Sequence, residues 1–263
     1  MKVLFIDSGI GGLTTLKACV QKMPWLDFIY YADDKYSPYG NLTANQIINR
    51  LINIIGQFKN VGVVVLACNT ATACGVQELR RQLKMPIIGI EPAIKPAAKV
   101  ASKVLVLATP VTSEHWRLAN LCKGATCPIE IAPMPNLAKL VDGYYLHGDA
   151  ICGEEIISCL QTIKQQSSGA SHIVLGCTHY VFIAGLISKT TGKQVCDGNE
   201  GVACELLKRL ATLNAVPKLA QGKHSLVKKC NYKYGYKRFK TSSKQTKLCK
   251  KYAKIFNQTL ANS

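Results

Sequence analysis

The stretch Ile173-Val174-Leu175-Gly176-Cys177-Thr178-His179 repeats the character of one far upstream, Val64-Val65-Leu66-Ala67-Cys68-Asn69-Thr70. In each, a run of apolar, mostly β-branched residues gives way to a small residue, a cysteine and polar groups that include a threonine. Such a run reads as a buried parallel strand, and the polar residues after it as the turn into a helix. Each cysteine is therefore expected at the carboxyl end of a strand, beside the amino end of a helix. Open α/β sheets bind their ligands there, and backbone N–H groups with the helix dipole favour a thiolate over a thiol. Two such thiols, one from each of two similar halves, are expected to face each other across one cleft.

Working outward from Cys68, strands and helices alternate. Lys2 to Asp7 reads as a buried strand, and Ser8-Gly9-Ile10-Gly11-Gly12 as a turn that lets the backbone approach a ligand closely. A helix from Leu13 to Met23 stops at Pro24. A dinucleotide-binding loop is set aside because Thr14 stands where its third glycine belongs. Asp27 to Ala32 is a second strand, followed by a stiff, exposed loop carrying Pro38, Tyr39 and Gly40. Thr43 is placed to cap a helix whose apolar face is Ile47, Leu51 and Ile55. Strand Gly62 to Ala67, a helix from about Thr70 to Leu83 and strand Pro86 to Ile90 complete the first series.

Around Cys177 the same succession recurs. Val104 to Ala108 and Ile129 to Ala132 read as strands, Asp149 to Gln165 as an amphipathic helix, and Ile173 to Leu175 as the strand before the cysteine. A helix from about Val181, a strand from Gln194 to Cys196 and a helix from about Glu200 to Leu213 follow. The expected fold class is α/β, with two similar doubly wound lobes related by a pseudo-twofold axis and the active site between them. Residues 1–96 with about 204–216 are expected to form the first lobe and 97–203 the second. Residues 217–263 form a basic C-terminal tail with helical spacing in part.

Charge separates that tail from the rest. The chain of 263 residues carries a formal charge of +18, but 13 of its 33 basic residues and none of its 15 acidic ones lie beyond position 216. The body is thus only mildly basic, and at 48% hydrophobic it has the means to bury a core. In the tail, Tyr232 to Lys240 interleaves aromatics with cations, while Leu248, Tyr252, Ile255 and Phe256 share one face of a helix. Such a segment suits nucleic acid or an anionic membrane surface, but a solubilising tail whose apolar stripe folds back on the body is the commoner use.

Met1 to Ile6 meets Asp7 after four apolar residues, too few for a secretory signal. No stretch is long enough to span a membrane. Twelve cysteines without an export signal point to free thiols in a reducing cytoplasm, and their spacings do not suit a structural metal. No metal and no cofactor are expected.

Two cysteines at matching turns suit a reaction that removes a proton from one face of a carbon and returns one to the other. A thiol of pKa about 8.5, lowered by a helix amino end, is a base available near neutral pH. Its partner donates from the opposite side. Asp7 is placed to orient Cys68 or hold an ammonium group, and His179 to set the state of Cys177.

Asp7-Ser8-Gly9-Ile10-Gly11-Gly12-Leu13, Ala32-Asp33 with Pro38-Tyr39-Gly40, Ala67-Cys68-Asn69-Thr70-Ala71 and Gly176-Cys177-Thr178-His179-Tyr180 stand in one order and spacing. In these motifs, from about Val3 to Leu213, the chain resembles the glutamate racemases of the aspartate/glutamate racemase superfamily. The resemblance implies a cofactor-independent isomerase of two α/β lobes that makes D-glutamate for peptidoglycan in the bacterial cytoplasm. It makes Cys68 and Cys177 the proton-exchanging pair, supported by Asp7 and His179. Asp7, Ser8, Pro38, Tyr39, Gly40, Asn69, Thr70, Thr112, Thr178 and His179 would line the substrate site, and a homodimer is expected.

One departure stands out. The family usually carries Pro-Leu-Val-Glu in the second lobe, where the glutamate supports the second cysteine, and Pro133-Met134-Pro135-Asn136 is read at that place. An amide there would weaken turnover. An aspartate or other amino-acid racemase on the same fold is the nearest alternative. A regulatory binder of DNA or of a DNA enzyme, acting through the tail, is the alternative of a different class.

Overall fold

The computed structural model describes residues 1–215, 237–242 and 246–261. In the first lobe, strands β1 (Lys2–Asp7), β2 (Asp27–Ala32), β3 (Val61–Leu66) and β4 (Ile87–Gly89) alternate with helices α1 (Gly12–Lys22), α2 (Ala44–Gly56) and α3 (Asn69–Gln82). The second lobe begins after α4 (Ile94–Ala98). It contains β5 (Val104–Ala108), α5 (Pro110–Glu114), α6 (Trp116–Lys123), β6 (Ile129–Pro133), α7 (Leu137–Asp142) and α8 (Ala150–Gln166). It closes with β7 (His172–Leu175), α9 (Ala184–Thr191) and β8 (Gln194–Cys196), after which α10 (Asn199–Thr212) returns to pack on α1 and β4 of the first lobe. The basic segment adds β9 (Lys237–Thr241) and α11 (Thr246–Ala261).

Every strand pair among the described residues is parallel. The first sheet runs β4-β3-β1-β2-β9 and the second β6-β5-β7-β8. Without β9, the strands of each lobe have the same spatial order, so β3 and β7, which precede the two cysteines, hold equivalent places.

Alternation along the buried strands explains how the sheets are covered. Val3 and Phe5 of β1 face one apolar cluster with residues of α1, α10 and α11, while Leu4 and Ile6 face another with residues of α2 and α3. Helices therefore change face between β1 and β3, and the crevice at the carboxyl ends of those strands is where such sheets take ligands. The first cluster also contains Leu105, Leu107, Ile173 and Leu175, so one continuous core joins the lobes. Local signals fix the helix starts: Thr43 and Gln46 form a reciprocal capping box on α2, and Asp149 accepts from Ile151 N–H at the start of α8.

Two expectations change. The loop after β2 is not simply exposed, because Tyr39 is buried beneath it and its hydroxyl donates to Asp33 at 2.6 Å. Asp33 is also gripped by the Arg50 guanidinium, so the loop is tied to α2 from within. The tail, for its part, supplies a strand as well as a helix: β9 pairs with β2 from Phe28↔Lys237 to Ala32↔Thr241. Residues Tyr232 to Tyr236 of the aromatic-cationic run lie outside the described residues. The stripe of α11 does turn inward, with Tyr252, Ile255 and Phe256 buried and Leu248 packed beside them. At about 1.5–3 kcal/mol for each large apolar side chain, that burial is enough to hold a helix whose outer face is lysine. No described helix is long and apolar enough to cross a membrane.

Candidate active site

Asp7 ends β1, Cys68 follows β3, Thr109 follows β5 and Cys177 follows β7, so two equivalent pairs of strand ends carry the candidate side chains, and contacts such as Asp7 with Thr178 and Thr70 with Thr109 join them. All the residues picked from the sequence are buried except Pro38 and Gly40, which are half-buried. Cys68 and Cys177 are only 6% and 7% exposed, so the lobes are closed over them.

Asp7 ties the two lobes together. It accepts from Gly9 N–H at 2.7 Å and from the Thr178 hydroxyl at 3.1 Å, the latter reaching over from the second lobe. The Ser8 hydroxyl lies 3.4 Å from the same carboxylate and 3.9 Å from Cys68 Sγ. Gly9 and Gly11 are needed for this approach, not for an unusual φ. A Cβ on Gly9 would lie 2.7 Å from His179 Nε2, and one on Gly11 2.3 Å from Thr178 Oγ1. The glycine turn is thus pressed against the Cys177 turn of the other lobe.

A second knot forms from hydroxyls. Thr70 Oγ1 is 3.1 Å from both Thr109 Oγ1 and Thr112 Oγ1, and Thr109 and Thr112 are 2.9 Å apart. Thr109 was not singled out from the sequence, although its place after β5 mirrors that of Ser8 after β1. Beside this cluster, buried Asn69 has a side-chain N–H group without a hydrogen-bond partner among the described residues. That donor is free for a ligand's acceptor, because an unpaired buried amide is otherwise a cost.

At the second cysteine, Sγ lies 3.8 Å from His179 Nδ1. The carboxylate beside that ring is Asp142, whose Oδ1 is 3.3 Å from His179 Nε2 in an ion-pair contact. Asn136 is exposed and sits at the start of α7, one short helix away. The amide substitution read from Pro133-Met134-Pro135-Asn136 is therefore corrected. Leu140-Val141-Asp142 carries the acid, and it was the signal in the sequence that could have found it. Burial alone would lower the pKa of His179, but Asp142 and the Cys177 sulfur lift it well above the ordinary imidazole value.

The first cysteine differs from expectation. Ala71 N–H of α3 does point at Cys68 Sγ, at 3.5 Å, and favours the thiolate. Burial and the neighbouring Asp7 outweigh it and push the thiol up to about 12. A charge on Cys177 raises it further, so the two sulfurs are electrostatic neighbours. Asp7 is itself held above the usual carboxylate range, by burial before anything else.

Two parallel α/β lobes of the same strand order, each with a buried cysteine after the equivalent strand, define the class of fold. Within that class the chain belongs to the Asp/Glu/hydantoin racemase family, whose model matches residues 41–206. It is 37% identical over 220 residues to a glutamate racemase of Clostridium botulinum, covering 80% of this chain and 84% of that one. A glutamate racemase of Leptospira interrogans is 36% identical over 236 residues, covering 87% and 90%. Among solved structures, Escherichia coli glutamate racemase in complex with L-glutamate and the activator UDP-MurNAc-Ala superposes with a TM-score of 0.76. That pair covers 91% and 97% of the two chains at 24% identity, a likeness of fold.

Proposed function

We propose that this chain is a cofactor-independent glutamate racemase that interconverts L- and D-glutamate by two-base proton transfer between Cys68 and Cys177. The observation that carries the reading is the pairing of two buried cysteines at equivalent strand ends, with Asp7 and Thr178 hydrogen-bonded across the lobes. Curated relatives at 36–37% identity that carry this name support the choice of substrate.

In one direction a thiolate takes the α-proton, and the electron pair left on carbon is delocalised into the substrate carboxylate. The opposite thiol then donates its proton to the other face, and the product leaves with inverted configuration. The unpaired Asn69 amide and the threonine cluster are placed to hold that carboxylate where charge develops. The substrate's ammonium group carries a positive charge that would favour the ionised forms of Asp7 and Cys68, both of which burial holds up. His179, charged through Asp142, gives and retrieves the proton of Cys177. Supply of D-glutamate to peptidoglycan, a cytoplasmic site of action and a homodimer go with this reading.

Incubation in deuterated water with L-glutamate or L-aspartate, without added cofactor, tests it. Glutamate is expected to gain α-deuterium while its optical rotation decays to zero, and aspartate to do neither. Glutamate that stays unlabelled overturns the reading; labelled aspartate alone moves the substrate to the shorter acid.

A further inference from the structure

We propose that Ser37 is a positioning residue that aims Asp142 at His179 only when the lobes close, so that closure and charging of the second acid-base group are one event. The inference rests on the racemase reading for its kinetic consequence, though not for its physical test.

Ser37 lies on the loop after β2 in the first lobe, and its Oγ donates to Asp142 Oδ2 at 3.0 Å. Asp142 lies in the second lobe at the end of α7, where its other oxygen faces His179 Nε2 at 3.3 Å. The two oxygens of one carboxylate thus serve different lobes. Neither Asp142 Oδ1 nor His179 Nε2 has a hydrogen-bond partner among the described residues, so their contact is an ion pair whose geometry depends on how the carboxylate is turned. The Ser37 hydroxyl is the hydrogen bond that fixes that turn.

The alternative orientation is open. Ser37, Pro38 and Asp142 line a cavity of about 910 Å³ whose far wall is α11. Without its serine, the carboxylate is free to swing toward this space. Lys139, His147 and Lys247, with Asp149 and Glu155, line the same cavity, but among the described residues none of them hydrogen-bonds or ion-pairs with Asp142. Asp7 repels it, and the buried hydroxyls of Tyr30 and Tyr252 feel its charge without bonding to it. Across the cavity Lys251 gives its ammonium to Leu146 O at 2.8 Å, and Asp34 is another acid. The Ser37 bond therefore exists only while the loop after β2 lies against α7.

The test compares wild type, Ser37→Ala and Ser37→Thr, which keeps the hydroxyl. The imidazole signal of His179, assigned among the five histidines with His179→Gln, is titrated by NMR. Ser37→Ala is expected to move its midpoint down by about one pH unit, the size of a lost hydrogen bond to a charged group. Ser37→Thr is expected to restore it. With glutamate, Ser37→Ala is expected to lose about tenfold in kcat with little change in KM, and the alkaline limb of its pH profile moves to lower pH. A midpoint that stays or rises, or a threonine variant that behaves as alanine does, overturns the proposal. Wild type that titrates as described but does not racemise glutamate overturns the substrate reading and leaves the Ser37 result to stand by itself.

Discussion

Replacing Asp142 with asparagine removes the charge beside His179 while keeping the shape. The two groups are 3.3 Å apart, with the ring 2% and the carboxylate 14% exposed. At an effective dielectric of about 20, unit charges at that separation attract by about 5 kcal/mol. Desolvation of the ring takes back part of this, leaving a net loss of about 3 kcal/mol, in line with other buried pairs that lose one partner. If His179 must be charged to serve Cys177, that loss is roughly a hundredfold in kcat/KM. Enantiomers have equal free energy, so the loss in kcat/KM is the same in both directions, although kcat and KM are free to divide it differently.

The effect on stability has a definite sign. The folded pKa of His179 is raised, so its protonation contributes stability that is complete below about pH 6.5 and is lost as pH rises through the raised value. Asp142→Asn should therefore lower the melting temperature more at pH 6 than at pH 9, with the two proteins converging at alkaline pH. Circular dichroism gives the melts and polarimetry the turnover. A variant within threefold of wild type in kcat/KM, with an equal melting deficit at both pH values, would refute the reasoning.

Two further outcomes are expected. Asp7 is buried and its carboxyl is raised by that burial, so its ionised form costs stability above the ordinary carboxylate range. Asp7→Asn is expected to raise the melting temperature at pH 7 by about 2–4 °C for each kcal/mol relieved, while cutting racemisation at least a hundredfold; a less stable variant contradicts this. Phe256 is 1% exposed and packs on Phe239 of β9, with ring centroids 5.6 Å apart. Phe256→Ala is expected to cost about 3–5 kcal/mol in urea unfolding, and a cost below about 1 kcal/mol would mean that α11 does not share the core.

The strands next to the cysteines were legible because buried parallel strands write continuous apolar runs, and the strand from Gln194 to Cys196 was read with its observed limits. Helix α2 was equally plain, since its cap and its apolar stripe agree. Asp142 was missed for a physical reason: α7 has only six residues, too short for a periodicity that would have put the acid and not Asn136 beside the second cysteine. Strand β9 was missed because its partner, β2, lies some two hundred residues earlier and its lysines and arginine mask the pattern. The state of Cys68 was misjudged because the helix terminus is written locally, in Cys68 to Ala71, whereas burial and Asp7 come from the fold.

The proximity of two sulfurs to opposite faces of one carbon is tested most directly by single-cysteine variants in deuterated water. Cys68→Ser and Cys177→Ser should each lose racemisation while remaining folded. Each variant keeps one thiol, so each should exchange the α-proton of one enantiomer of glutamate with retention of configuration, and the two variants should choose opposite enantiomers. Full racemisation by either variant, or exchange of the same enantiomer by both, would contradict a site in which the two cysteines share one substrate.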